Sequence, residues 1–422
     1  MDSSSDLSAR AEQFARLCHF LQFDPDNLNL QLDAIALGIE IQAWDEIEKL
    51  LPSALQTHPE SAELAVHAGF FSMRADDQNQ AQQHFQRAIE SGLNDINIHY
   101  NLALSYYFSQ DYSSCDTQLA RLTELVSEAQ EEAADGSNLT RERSLLSARC
   151  LHHLDRMDEA VAVLNDYLNT INTSSNVTPD TTINSTSNAS TVDTDAEGLM
   201  ALILCDNSQS DSAMAHANRA MQASEPCLEA LIARGSLYTQ ARRYPEAYAD
   251  FKKATDAHPK VGRAWSGIGQ LAFQDMQFDD AKQALELAVT TMPDHVGTWH
   301  LLAWTHLMQN QIEQAEQAFN KAYDLDRNFA ETHGGLASIY ALKGDKSAAE
   351  RHIKIAERLD PSGLSSTYAR MVLLNNQGQK SEAQALFDKL KNTPNPRLGI
   401  TPKHLIDAKI AELKDQQNPT IN

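Results

Sequence analysis

Few residues in this 422-residue chain have the types and spacing that chemistry asks for. His152 and His153 are adjacent, so on a helix they point to different sides and make no shared metal site. Gly334-Gly335 has the composition of a ligand loop, yet it falls within a helical stretch and reads as close packing or a groove floor. Acidic pairs are plentiful among 58 Asp and Glu, but acid–base work needs a shared cleft, and nothing places two of them in one. His-Glu-x-x-His, Cys-x-x-Cys, a phosphate-cradling glycine loop and Gly-x-Ser-x-Gly do not occur. Cys18, Cys115, Cys150, Cys205 and Cys227 are odd in number and scattered. They read as small buried residues of a reducing compartment, not as disulfides or metal ligands. No enzyme activity, cofactor or metal is therefore expected, and recognition by aromatic and methionine side chains is the chemistry left.

The elements that would position such side chains repeat. Gly235, Gly269, Ala303 and Ala337 lie 34 residues apart, as do Ala247, Ala281, Ala315 and Ala349, and again Ala254, Ala288, Ala322 and Ala356. Phe251, Leu285, Phe319 and Ile353 keep the same step, as do Trp265 and Trp299, and Pro259, Pro293 and Pro361 close three of the four units. Within a unit, two helical segments flank a short polar break such as Ala241-Arg242-Arg243-Tyr244-Pro245. Small residues let the two helices approach, and a bulky residue four positions after the second small column fills the gap. Proline then stops the second helix. One such hairpin cannot bury its apolar face alone, so the units must stack into an all-α solenoid.

This pattern resembles the tetratricopeptide repeat (TPR), whose signature is Trp-x2-Leu-Gly-x2-Tyr…Ala-x3-Phe…Pro. Leu231, Gly235, Tyr238, Ala247, Phe251, Ala254 and Pro259 match one unit. Trp265, Gly269, Ala281, Ala288 and Pro293 match the next. The resemblance implies a right-handed superhelix that binds peptide segments of other proteins in its concave groove. The family's register turns Phe70, Met73, Tyr100, Asn101, Leu104, Tyr107 and Phe108 inward in the N-terminal half. In the C-terminal half it turns Arg263, Gln270, Phe273, His300, Trp304, Leu307 and Met308 inward. The alternative is that these side chains pack between neighbouring helices. Family members that hold a C-terminal carboxylate use a clamp of Lys, Asn and Arg. Only Asn101 falls on such a position here, so an extended or helical segment with apolar anchors is the expected ligand.

Taken in order, residues 1–8 are expected to be disordered and 9–169 to form an acidic block of repeats. That block holds a unit starting near Leu28, another with Gly69, Ala81, Phe85 and Ala88, and a third with Cys115 in place of alanine. Residues 170–195 are rich in Ser, Thr and Asn and read as a flexible linker or loop. Its Asn-x-Ser/Thr triplets read as chance matches, because the start of the chain lacks a secretion signal. Repeats resume over 196–397 and end in a degenerate unit with Ala383 and Phe387. Thr401-Pro402 starts a capping helix within 398–415 with Leu405, Ile406, Ile410 and Leu413 on one face, and 416–422 form a disordered tail. About ten units are expected in all.

The formal charge is −24. Residues 1–170 hold 10 Lys and Arg against 28 Asp and Glu, and 196–422 hold 24 against 27. Such a chain should repel nucleic acid and anionic membranes, and no apolar run reaches membrane-spanning length. A cytoplasmic protein-interaction scaffold or adaptor follows, with a basic or apolar-anchored partner. The alternative is a chaperone-like or regulatory accessory subunit of a secretion or assembly system. Partner identity and oligomeric state are left open.

Overall fold

The computed structural model describes residues 3–128, 136–174 and 192–392. They form 21 helices, and no strand occurs among the described residues. The chain divides into two compact units, Met1–Glu225 and Pro226–Asn422.

Unit 1 opens with α1 (Ser3–Leu21) and continues in five antiparallel hairpins. These are α2 (Leu28–Glu40) with α3 (Trp44–Thr57), α4 (Ala62–Arg74) with α5 (Gln78–Glu90), and α6 (Ile96–Phe108) with α7 (Tyr112–Glu128). Then come α8 (Gly136–His153) with α9 (Met157–Ser174), and α10 (Thr194–Asp206) with α11 (Ser210–Ala220). Unit 2 holds five more: α12 (Leu228–Gln240) with α13 (Tyr244–Ala257), α14 (Gly262–Gln274) with α15 (Phe278–Thr291), and α16 (Val296–Met308) with α17 (Ile312–Leu325). The last two are α18 (Ala330–Leu342) with α19 (Lys346–Leu359), and α20 (Leu364–Asn376) with α21 (Lys380–Asn392). Ten hairpins among the described residues agree with the expected number. First helices begin at 28, 62 and 96, and again at 194, 228, 262, 296, 330 and 364, so the 34-residue step holds on both sides of one lengthened stretch.

Every hairpin tip has the same build. Three residues separate the paired helices in all ten, and the middle one lies in the left-handed region. It is Gln42, Asp76, Gln110, Asp155, Ser208, Arg242, Met276 or Asn310 in the first eight, and Gly344 or Gly378 in the last two. The residue after it donates its N–H back to the first helix, as Ala43 does to the Gly38 carbonyl at 2.8 Å and Gln277 to that of Ala272 at 2.8 Å. These bonds satisfy carbonyls that a helix end leaves open. Extra length sits elsewhere, in the longer helices α7, α8 and α9 and in the links between α7 and α8 and between α9 and α10.

The columns read from the sequence are the core. Ala81, Cys115, Ala160, Ala213, Ala247, Ala281, Ala315 and Ala349 are all fully buried. Four residues on, Phe85, Leu119, Leu164, Ala217, Phe251, Leu285, Phe319 and Ile353 are buried too. Phe251 shows why small residues face them. A Cβ on Gly235 of its own hairpin would come within 2.7 Å of its ring, and one on Gly267 of the next hairpin within 2.5 Å. Burying a phenyl group this fully is worth about 2–3 kcal/mol, and each hairpin needs its neighbour to do it.

Three expectations change. Helix α1 begins at Ser3, inside the 1–8 stretch expected to be disordered; Ser and Asp start helices as readily as they populate loose chain. The division of the chain falls at Glu225/Pro226 rather than at 170–195. Asp193 supplies the reason: it caps α10, accepts from Arg141 Nε at 2.6 Å and from the Tyr167 hydroxyl at 2.7 Å, and so ties α8, α9 and α10 together. Burial works against the Asp193 carboxylate, but these hydrogen bonds outweigh it and hold its pKa below the usual range. Residues 175–191, the body of the expected linker, lie outside the described residues, as do the capping helix at 398–415 and the 416–422 tail. Third, of the five cysteines only Cys115, Cys150 and Cys205 are buried; Cys18 and Cys227 are half-buried. Among the described residues no helix is long and apolar enough to cross a membrane.

Candidate functional site

The groove candidates of unit 1 sit on the first helices α4 and α6. Phe70 is half-buried, its ring edge-on to Phe85 at 5.5 Å, and Met73 packs against the same cluster. Tyr100 is half-buried in the next cluster, where burial raises its pKa. Asn101 donates its side-chain amide to the Asn97 carbonyl at 2.7 Å, within its own helix. Tyr107 meets Phe108, Tyr112 and His153 edge-on at 6.1, 5.6 and 5.7 Å. Tyr112 and His153 stack at 4.3 Å with their planes 2° apart. The same contact recurs at equivalent positions two hairpins earlier, where the Arg74 guanidinium covers the Trp44 ring at 4.2 Å. Phe108, 56% exposed, is the most open aromatic of the set.

In unit 2 the candidates divide. Arg263 and Phe273 on α14 are half-buried, Phe273 lying edge-on to Phe278 at 5.6 Å, while Gln270 is exposed. On α16, Met308 is exposed, but His300 and Trp304 are committed to packing. Trp304 is wedged between Phe319 at 5.8 Å and Tyr368 at 5.7 Å, and its Nε1–H donates to His300 Nε2 at 3.0 Å. Because Nε2 accepts, a neutral His300 carries its proton on Nδ1, and that atom is buried without a hydrogen-bond partner. Burial pushes the His300 pKa down to about 4.

Tyr368 belongs to α20, two hairpins beyond Trp304. It reaches that ring because α18 between them presents Gly334, where a Cβ would meet the Ser365 Cβ at 2.4 Å and the Ser366 nitrogen at 2.7 Å. Gly335 beside it faces Phe319, whose ring a Cβ would meet at 2.2 Å. Of the two readings of this glycine pair, close packing accounts for both residues.

Sequence reasoning passed over one buried pair. His333 Nε2–H donates to the Arg327 carbonyl at 2.9 Å, which leaves its Nδ1 to accept from His352 Nδ1–H at 3.0 Å. Tyr340 stacks on His352 and Tyr323 meets His333 edge-on. Burial, then the neighbouring His333, pushes the His352 pKa down to about 4. The two histidines lie 19 residues apart on paired helices, a spacing that matches no motif. Among the described residues no group of three or more His, Cys, Asp or Glu stands ready for a metal.

Charge follows the division of the fold more sharply than the sequence halves indicated. Unit 1 holds 11 Lys and Arg against 35 Asp and Glu, a net of −24, and unit 2 holds 23 against 23, a net of zero.

Residues 260–328 and 300–363 match two family models, each described as tetratricopeptide repeat. Residues 260–363 are therefore tetratricopeptide repeats. A TPR array of this kind is a protein-interaction scaffold in general, and both matched stretches lie in unit 2. One curated relative, the cellulose synthase operon protein C of Xanthomonas axonopodis pv. citri (strain 306), is 25% identical over 177 residues. That match covers 40% of this chain and only 12% of the relative's length. Among solved structures, a monomeric IFIT1 mutant with m7Gppp-AAAA is 13% identical, covers 86% of this chain and 90% of its own, and has a TM-score of 0.51, a likeness of fold. YrrB, described as a TPR protein with an unusual peptide-binding site, is 19% identical over 42% of this chain and 90% of its own, with a TM-score of 0.35.

Proposed function

We propose that this TPR scaffold holds an extended or helical peptide segment of another protein along its first helices, and that unit 1 selects a basic segment. The observation that carries the reading is the charge division, with the whole −24 on unit 1 and none on unit 2. A folded array does not need that asymmetry, since unit 2 forms the same hairpins at zero net charge. A potential of one sign steers an oppositely charged chain and disfavours acidic competitors. Phe108, with Tyr107, Met73 and Phe70 behind it, offers apolar anchorage, and Tyr faces also take Lys or Arg side chains. In unit 2, Met308, Gln270, Phe273 and Arg263 keep surface for contact, whereas Trp304 and His300 support the wall.

The test is fluorescence anisotropy with labelled peptides matched in apolar content, one series rich in Lys and Arg and one rich in Asp and Glu. The basic series should bind and weaken on the order of tenfold between low and high salt, as expected for exposed charges under screening. Phe108→Ser should weaken it further. Equal affinity for both series at all salt concentrations would defeat the reading.

A second reading, an accessory subunit of a secretion or assembly system that shields an apolar client segment, draws support from the relative named for a cellulose synthase operon. It predicts salt-independent capture of a neutral apolar peptide in the same assay.

A further inference from the structure

Two of the five cysteines meet in the fold. Cys115 and Cys150 belong to one core cluster of unit 1, where α7 of the third hairpin packs on α8 of the fourth, and both are fully buried and reduced. Cys150 Sγ–H donates to the Tyr112 carbonyl at the start of α7, at 3.0 Å. One repeat earlier Ser105 makes the same contact, its hydroxyl donating to the Gln78 carbonyl at the start of α5, at 3.1 Å. Cys150 and Ser105 each stand fourth from the end of a first helix, and Cys115 and Ala81 each stand fourth in the preceding second helix. Where that repeat has a hydroxyl and an alanine, this one has two thiols, and they hydrogen-bond to each other. At no other joint among the described residues do both positions carry sulfur; Leu271 with Ala247 and Thr305 with Ala281 are examples. Packing asks only for a small residue at 115 and a donor to the carbonyl from 150, which Ala and Ser would supply. A second sulfur in register exceeds that need.

We propose that Cys115 and Cys150 form a reversible disulfide under hydrogen peroxide, a redox latch that fastens the third hairpin of unit 1 to the fourth. Cys150 is the nucleophile. The hydrogen bond from Cys115, and more weakly Arg156, lower its pKa against the opposing effects of burial and Asp116, while the Cys115 thiol is held up by the same hydrogen bond and by burial. The Cys150 thiolate attacks one peroxide oxygen and breaks the O–O bond, which gives a sulfenic acid and releases hydroxide. Cys115, losing its proton to that hydroxide, then attacks the Cys150 sulfur, forms the S–S bond and expels the second oxygen as water. Two thiols are oxidised by two electrons and the peroxide is reduced to two waters; a dithiol reductant reverses the change. Thiols in hydrogen-bond contact need to close by only about 1–2 Å to reach the S–S bond length. The oxidant is hardly larger than water, so a local opening of the α7–α8 seam admits it. The bond would also supply a constraint that the chain gives up there. These hairpins are joined by the seven residues 129–135, whereas the two preceding joints, 58–61 and 91–95, have four and five. The fastened seam is the one that carries the stacked Tyr112 and His153 rings.

Non-reducing peptide mapping of the full native chain, before and after hydrogen peroxide, tests this. One new link, Cys115 to Cys150 within a single chain, should form and vanish with dithiothreitol. Hydrogen–deuterium exchange of amides 113–122 and 144–152 should slow at least fivefold on oxidation. Cys115→Ala and Cys150→Ser install the residues that the preceding repeat carries at these positions, and each should abolish both the link and the slowing. Peroxide that leaves Cys115 and Cys150 unlinked, that drives Cys150 to sulfinic acid without a link, or that joins either residue to another cysteine or another chain instead overturns the proposal. So does a 115–150 link that forms only in denaturant, or one that leaves exchange of both segments unchanged. The mapping of the native chain decides the matter even where a variant folds poorly. None of these readouts involves the groove, so the outcome is independent of peptide binding.

Discussion

Units 1 and 2 contain five hairpins each with identical tips, yet they are held together by different means. Unit 2 runs without interruption, and its core sets aromatic rings against glycine: Phe251 between Gly235 and Gly267, Phe319 on Gly335, Trp304 on Tyr368 across Gly334. Unit 1 has such a ring in Phe85, on Gly69, but it also carries both lengthened links, and its second half adds ion pairs to buried carboxylates. Arg141 and Tyr167 hold Asp193 at one end of α10, and His216 and Arg219 converge on the buried Glu197 carboxylate at 2.6 and 2.9 Å. Among its described residues unit 2 has one comparable pair, Arg234 with Asp250 at 2.7 Å. The difference teaches that the repeat sets backbone geometry and leaves side-chain chemistry free. The charge of unit 1 is therefore not something its fold requires.

Three measurements would break or sharpen this contrast, the largest effect first. Unit 2 should lose stability in mild acid. His300 and His352 have folded pKa values near 4 against about 6.5 unfolded, so the unfolded chain binds more protons between those limits. Their contribution is complete above pH 6.5 and declines as pH falls towards 4, by about 1–2 kcal/mol per histidine at pH 5. Denaturant titrations at pH 7 and pH 5 should show this loss, and His352→Gln should flatten it. A pH-independent midpoint would mean that these histidines are more open to water than their packing indicates.

Next in size, Arg141→Met should destabilise unit 1 by about 2 kcal/mol. That is less than a fully buried pair would cost, because the arginine side chain is 28% exposed. Thermal melting read through unit 1 checks it, and a change within error would remove the ion-pair account of how α8, α9 and α10 are joined.

Smallest, and the same in both units, is relief of left-handed backbone strain. Gln42→Gly in unit 1 and Met276→Gly in unit 2 should each stabilise by about 1 kcal/mol, because a side chain in that region is strained and glycine is not. Gains confined to one unit would show that the tips are not equivalent after all.

Much of the fold was legible in advance, and for a definable reason. Four columns stepping by 34 over 229–361 constrain helix length, tip and crossing together, so the number and order of the hairpins could be read there, and a further unit was expected to start near Leu28, where α2 begins. The division of the chain was not legible. Ser, Thr and Asn between 175 and 191 signal a lack of apolar surface, but the attachment of α10 depends on Asp193 meeting Arg141, 52 residues earlier. The groove was legible only as a set of residue types. Trp304 and Tyr107 stand at first-helix positions as expected, yet Trp304 meets Tyr368 only because Gly334, 30 residues further on, lets α20 lie close. Such a contact has no local signature. For His333 and His352, each residue alone is unremarkable, and only the pairing of α18 with α19 makes them partners.

The ten equal tips bear on where this chain tolerates added sequence. In unit 1 the helix ends that flank both enlargements, at the end of α7 and start of α8 and at the end of α9 and start of α10, lie on the edge opposite the tips. A passenger spliced into either link, whether a tag, an epitope or a fluorescent reporter, would emerge along that same border, and two passengers would travel side by side. The opposite border, locked by one left-handed residue in every tooth, would stay bare.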